Sequence, residues 1–132
     1  MPIVVEQLIE ATGQDRQDLH KIYLDAPPWL LEPFNDATRL IQDYLQDGSL
    51  IAARFNDRLL GAARLQRHQN VWHLSQMCVR SLTRRRGVAE RLVGEAQRMA
   101  RQEGAELRLL APAGHLMAQA LAAKLKLTLD EG

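Results

Sequence analysis

The sequence has one cysteine, Cys78, among 132 residues. A lone cysteine excludes an internal disulfide and suits a reducing, cytoplasmic setting. Aromatic residues make up only 5% of the chain, so the core must be built mainly from aliphatic side chains. No apolar run reaches the roughly 18 residues of a membrane-spanning helix, and no membrane contact is expected. The start, Met1-Pro2-Ile3-Val4-Val5-Glu6, lacks the charged and apolar regions of a secretory signal. The histidines His20, His68, His73 and His115 are scattered without metal-ligand spacing, so no metal is expected. Excess charge is missing as well. A net charge of +1 argues against nucleic acid as a partner. Neither the Walker loop G-x-x-x-x-G-K-[ST] nor the dinucleotide fingerprint G-x-G-x-x-G is present.

What is there is an ordinary globular composition, 46% apolar and 25% charged. The length predicts a single domain over residues 1–132, without repeats, linkers or low-complexity tracts. Ile3 to Leu8 reads as a strand, rich in β-branched residues. Thr12 with Asp15 forms a capping box for a helix whose buried face is Leu19, Ile22 and Tyr23. Pro27-Pro28 ends it. Trp29, Leu30 and Leu31 either pack over the core or line a groove. A second helix starts near Asn35 or Asp36, buries Leu40, Ile41, Tyr44 and Leu45, and stops at Asp47-Gly48.

Ser49 to Phe55, Leu59 to Leu65 and Val71 to Val79 are successive strands, joined by turns at Asn56-Asp57 and His68-Gln69-Asn70. The third alternates Val71, His73, Ser75, Met77, Val79 against Trp72, Leu74, Gln76, Cys78. Neither face is wholly polar, which predicts a central strand. A helix over Val88 to Gln102 is capped by Gly104. Then come a strand at Leu107 to Ala111, a helix at His115 to Leu125, and a strand at Leu127 to Leu129. The order is βααβββαβαβ. The hairpins require antiparallel pairing and the crossover at 71–111 requires parallel pairing. An α/β (α+β) fold follows, a mixed central sheet with helices on both faces.

The stretch Val79 to Glu90 joins the third of those strands to its helix and holds Arg80, Arg84, Arg85, Arg86 and Gly87. A triple arginine also suits a solvated run or a nucleic-acid patch. Its position at a helix start favours an anion site. There, unpaired N–H groups and the helix dipole attract negative charge, and Gly87 lets the backbone approach it. Arg84-x-x-Gly87-x-Ala89 resembles the Q/R-x-x-G-x-G/A signature of the GNAT acetyltransferase superfamily. The resemblance implies a GNAT fold and an acetyl-CoA (or CoA) cofactor. It implies that the backbones of Met77, Cys78 and Val79 pair with the pantetheine arm. Thr83, Arg84, Arg85, Arg86, Gly87, Val88, Ala89 and Glu90 would hold the pyrophosphate. Adjacent arginine side chains diverge, so one or two of the three meet phosphate.

Within that superfamily the chain resembles one branch. Residues Gly13 to Tyr23, Ala52 to Leu60 and Val79-Arg80 with Thr83 to Val88 are similar to the maturation factors of aspartate 1-decarboxylase, the PanZ or PanM branch. That resemblance implies an acetyl-CoA-dependent regulator of the decarboxylase proenzyme, acting in pantothenate and CoA synthesis. It makes Arg54 and Asn56 candidates for touching the proenzyme; plain hairpin geometry is the other reading of Arg54-Phe55-Asn56. The segment Leu24 to Ser49 looks longer than in the branch and carries its own helix.

Amine acetylation needs a polarised thioester, a base and an acid for the leaving thiolate. The resemblance puts the acid on the last helix, in a pattern like Leu-Tyr-x-x-Leu-Gly-Phe. Here the run is Leu121-Ala122-Ala123-Lys124-Leu125-Lys126-Leu127: alanine replaces the tyrosine, lysine the glycine, and only Lys124 or water remains as an acid. His73 is the strand residue with a suitable unperturbed pKa for a base; a structural or merely exposed histidine is the other reading. Cys78 lacks a histidine and carboxylate spaced to activate it and reads as a small buried hydrophobe. The cofactor half of an acetyltransferase is therefore legible and the catalytic half is not. This favours a regulator; the alternative is an active N-acetyltransferase for a small-molecule or protein amine.

Overall fold

The computed structural model describes residues 2–81 and 87–132. Thr83, Arg84, Arg85 and Arg86 of the expected phosphate loop lie outside the described residues. The described elements run β1 (Val4–Gln7), α1 (Gly13–Leu24), α2 (Pro28–Leu31), α3 (Ala37–Gln46), β2 (Leu50–Phe55), β3 (Arg58–His68), β4 (Val71–Val79), α4 (Val88–Gln102), β5 (Glu106–Ala111), α5 (Leu116–Leu125) and β6 (Leu129–Glu131). Compared with the order expected from sequence, one short helix is added. Asp25 ends α1, and Pro27 and Pro28 then open α2, Pro28 standing in its first turn. Proline is preorganised for a helix start as well as barred from a helix interior. Both effects act here within two residues.

The six strands lie in the order β1-β2-β3-β4-β5-β6. The first three pairings are antiparallel; β4–β5 and β5–β6 are parallel. The local signals explain the ends. Thr12 and Asp15 make the reciprocal capping box of α1, and the Asp36 carboxylate accepts from Arg39 N–H at the start of α3. Asn56 and Asp57 take φ of +48° and +66°, as a two-residue hairpin turn of the primed type requires. On α4, Glu103 is the cap and Gly104, at φ +71°, stands one residue beyond it. The last strand begins two residues later than expected. Leu127 packs against the core, and pairing with β5 begins where Leu109 N–H donates to Thr128 O at 2.9 Å.

The sheet separates two cores. One lies under α4 and contains Ile51, Ala53, Leu65, Trp72, Leu74, Val88, Leu92, Ala96 and Leu107. The other lies under α1 and α3 and contains Leu19, Ile22, Tyr23, Leu40, Tyr44, Leu50, Leu59 and Cys78. Strand β4 does not keep its expected alternation. Trp72 and Leu74 face the first core, yet so do Met77 and Val79, while Cys78 faces the second. The register shifts opposite Ala62 to Arg64, where Gln76 adopts φ +48°. This is a β-bulge, with one extra residue in β4.

Candidate functional site

The bulge opens the sheet. Strand β4 pairs with β5 only from Val71 to Leu74, against Glu106 to Leu109. Beyond Leu74 the two strands separate. Tertiary bonds hold the bulge in place. The Tyr23 hydroxyl donates to Gln76 O at 2.8 Å, and the Gln76 amide donates to Glu32 O at 3.3 Å. Tyr23 is 1% exposed, and burial pushes its phenol well above the ordinary range. It therefore stays a neutral donor.

The ladder decides which main-chain groups face the gap. Arg80 N–H donates to Leu60 O at 2.9 Å, and Ala62 stands opposite Cys78. Antiparallel pairs alternate between bonded and non-bonded. Cys78 thus turns its main chain toward β3, and its thiol donates to Ile22 O at 3.2 Å. Met77 and Val79 turn theirs toward the space vacated by β5. A cleft of about 500 Å³ fills that space, lined by Leu74, Met77, Val79, Leu109 and Ala111 and by Met117, Leu121 and Lys124 of α5. Trp29 and Leu30 of α2 close its other side. Trp29 stacks on His115 at 4.1 Å between ring centroids, so α2 and the start of α5 meet across the opening. Both readings of Trp29 and Leu30 hold: Leu30 is buried at 8% exposure, and both residues line the cleft.

Helix α4 starts next to this gap. Gly87 precedes it at φ +79°, where an L side chain is strained. Val88 is buried, Ala89 half-buried and Glu90 exposed. The Glu90 carboxylate receives Lys124 Nζ at 3.1 Å, which holds its pKa below the usual range. The sequence did not single out Gly61. A Cβ there would come within 2.9 Å of Val88 Cγ1, 3.2 Å of Val79 Cγ2 and 3.3 Å of Cys78 O. Gly61 lets the first turn of α4 sit tightly against the ends of β3 and β4. The signal available was a glycine inside a strand pattern.

On α5, Lys126 adopts φ +58° and caps the helix through bonds to Ala122 O and Ala123 O. It keeps the left-handed geometry usually given to glycine. Ala122 is 5% exposed within the α4-side core, so no hydroxyl reaches the cleft from this position. His73 stands on β4 before the bulge. Its Nε2 lies 2.7 Å from Asp130 Oδ2. His73 and Arg108 hold the Asp130 carboxyl below its usual range.

Arg54 sends all five N–H donors into its own chain. Nε and Nη2 reach Glu6 Oε1 at 3.1 and 2.8 Å; Nη1 and Nη2 reach Asp15 at 3.0 and 3.2 Å; Nη1 also reaches Asp57 O at 3.3 Å. Beside it, Arg58 grips Asp18, which is 0% exposed. Leu59 N–H and the Gln14 amide complete the carboxylate's shell. Arg54 thus positions the β2–β3 hairpin against α1, and Asn56 is left exposed at the hairpin tip. Among the described residues no group of three or more metal-ligating side chains forms, and no helix is long and apolar enough to cross a membrane.

Comparisons with known proteins fit this geometry. Residues 2–129 match the family described as acetyltransferase (GNAT) domain, PanZ. The chain is 37% identical over 98 residues to the PanD regulatory factor of Salmonella typhimurium, covering 74% of this chain and 68% of that protein. It is 36% identical, with the same coverage, to the PanD regulatory factor of Escherichia coli. Among solved structures, N-acetylglutamate synthase from Neisseria gonorrhoeae, complexed with coenzyme A and N-acetyl-glutamate, superposes with a TM-score of 0.69 at 16% identity. That match covers 94% of this chain and 28% of the synthase. With the split between β4 and β5, the bulge at Gln76 and a family match that spans nearly every residue, the chain belongs to the PanZ family of GNAT acetyltransferase domains.

Proposed function

We propose that this protein binds acetyl-CoA and, in that state, promotes maturation of the aspartate 1-decarboxylase proenzyme. The observation that carries the cofactor half is the β4–β5 cleft. Met77 and Val79 offer main-chain donors and acceptors along one wall, which suits an extended amide-bearing arm added as a strand. The apolar wall from α5 suits its methylene groups. The start of α4 after Gly87 suits a diphosphate, because the first N–H groups of a helix have no intrahelical partner. Glu90 N–H meets its own carboxylate, which a diphosphate would have to displace, and Arg84 to Arg86 come just before in sequence. The partner half rests on the regulatory factors named above and on Asn56, presented by the clamped hairpin.

The second reading, transfer of the acetyl group to an amine, has less support. The position that would carry an acid is Ala122, packed into the core. Lys124, on the cleft wall, is tied to Glu90. His73 is engaged by Asp130.

Four measurements test the proposal. Acetyl-CoA at 100 times its Kd should stabilise the protein by about 2.7 kcal/mol; no thermal shift with acetyl-CoA or CoA would remove the cofactor half. Gly87→Trp should abolish binding by calorimetry with the fold retained. Co-expression with the proenzyme should raise its self-cleavage on a gel. Thiol release over an amine panel, with cleavage unchanged, would move the assignment to the acetyltransferase.

A further inference from the structure

Beside the cleft lies a second cavity, about 280 Å³ in volume. It opens on the α1 side of the sheet, past the cover of α1 and α3. The two cavities share Trp29, Leu30, Ser75, Gln76, Leu110 and Ala111 as walls. Three polar side chains are not explained by the cofactor reading: Arg64, Gln66 and Glu32. Arg64 is the one with unusual support. Its guanidinium lies 4.2 Å over the ring of Tyr44. Its Nε donates to Ser49 Oγ at 3.2 Å, and its Nη2 to Asp47 Oδ2 at 3.2 Å. The side chain is 23% exposed. It is therefore held in one place on three sides.

An arginine has five N–H donors. Arg64 uses two of them in these bonds, and Nη1 makes none among the described residues. This contrasts with Arg54, which spends all five. A fixed, half-buried guanidinium with an idle edge in a concave site suits an incoming carboxylate. We propose that this cavity is a binding site for a carboxylate group, received by Arg64.

The lining limits the ligand. Trp29, Leu30, Pro33 and Leu110 give apolar walls, and Gln66 gives an amide that can donate or accept. Asp47 already offsets part of the arginine's charge, and Glu32 adds an acidic group at the wall. A singly charged carboxylate fits that balance better than a phosphate dianion. The volume suits a ligand about the size of an amino acid. Either a free small acid or the carboxyl end of a peptide supplies this chemistry. The shared walls also make the two sites energetically linked, so a carboxylate here should change CoA affinity and the reverse equally. Only this coupling rests on the proposed cofactor reading; the carboxylate site itself does not.

The test is an amide-resolved NMR titration of the whole protein, following Gln66 and Ser75. The probes are propionate, a tripeptide with a free C-terminus, the same tripeptide amidated, and inorganic phosphate. Propionate or the free tripeptide should give saturable shifts. Arg64→Gln should weaken binding at least tenfold while the thermal response to CoA persists. Gln66→Trp, which fills the cavity and leaves Arg64 intact, guards against a folding failure in the first variant and should also abolish binding. A tripeptide at least tenfold tighter than propionate identifies a chain terminus; comparable binding identifies a free acid. The proposal is overturned if neither carboxylate shifts these amides, if the amidated peptide or phosphate binds as well, or if both variants bind like the parent. A wild-type protein that takes carboxylate but no CoA would sink the cofactor reading alone.

Discussion

The two ends of this sheet are held by different physics. At one end, α1 is fastened to the β2–β3 hairpin by Asp15 with Arg54 and Asp18 with Arg58. Both carboxylates are almost fully buried, and their charge is met by several directed donors each. At the other end, α5 carries an apolar sequence, but only Ala122 is buried, while Leu116 and Met117 are more than three-quarters exposed. A helix apolar on most of its surface normally sits inside a protein. Here it borders the cleft instead. The clamped end holds a shape, and the open end is short of packing that a ligand can supply. Two of the three stretches that resemble the PanZ branch, 13–23 and 52–60, are the two halves of the clamp. The third stretch, Val79-Arg80 with Thr83 to Val88, belongs to the expected phosphate loop at the open end.

This contrast predicts that changes at the clamp act on stability and changes at the cleft act on binding. The largest effect should come from Asp18→Ala. It orphans the buried Leu59 N–H, while Arg58 can turn to water. An unsatisfied buried donor costs about 1–3 kcal/mol, and the lost packing adds to it. A fall of about 2–3 kcal/mol in urea unfolding is expected. Acid should act on the same clamp. Asp15 is held below its usual pKa first by its hydrogen bond from Arg54. For Asp18, burial pushes upward, but the bonds from Arg58, Leu59 and Gln14 together outweigh it. A depressed folded pKa gives stability that is complete above the unfolded value near 4 and is lost as pH falls through the folded one. The acid limb of stability should therefore flatten in Asp18→Ala. A variant with unchanged stability and acid limb would show that the clamp does not hold this end.

Gly61→Val should rank second, because it joins both ends of the comparison. The new Cβ meets Val88 and Val79 inside contact distance. Overpacking of this kind costs about 1–3 kcal/mol. Since Val88 opens α4, CoA affinity should fall with stability. Stability loss with normal affinity would separate Gly61 from the site.

Much of the frame was readable because its signals are local. The capping box at Thr12, the cap at Asp36 and the Asn56-Asp57 turn each depend on neighbours within a few residues. The parallel crossover followed from chain connectivity. The bulge that makes the cleft was not readable. Gln76 carries no turn preference, and its carbonyl is held by the hydroxyl of Tyr23, 53 residues earlier. For the same reason the alternation read along β4 failed at Met77. The Asp18–Arg58 pair was hidden because a charged residue on a helix normally faces water. Arg54 was noticed through resemblance to a family, which could not show that its donors are all spent at home. Tyr23→Phe follows from this point. It leaves the Gln76 carbonyl without its donor at a cost of about 1 kcal/mol. If the bulge is set from outside the strand, CoA affinity should drop while the secondary structure in circular dichroism stays the same.

The smallest stability effect, and the sharpest check on the contrast, belongs to Lys124→Ala. Lys124 and Glu90 are 69% and 50% exposed. An ion pair this open contributes little, and unfolding should move by no more than about 0.5 kcal/mol. Its position gives it a different importance. It ties the cleft-lining face of α5 to the first turn of α4, with a carboxylate standing where a diphosphate is expected to bind. A bound diphosphate would compete with Glu90 for the lysine. Removing Lys124 should therefore weaken CoA binding by calorimetry, whereas Glu90→Gln, which removes only the repelling charge, should strengthen it. The two effects should shrink together as salt rises, because exposed charges are screened within about 10 Å at 0.1 M. Equal stability with opposite changes in affinity is the signature of the open end. A clamp residue cannot produce it, since its loss lowers stability before it reaches any ligand.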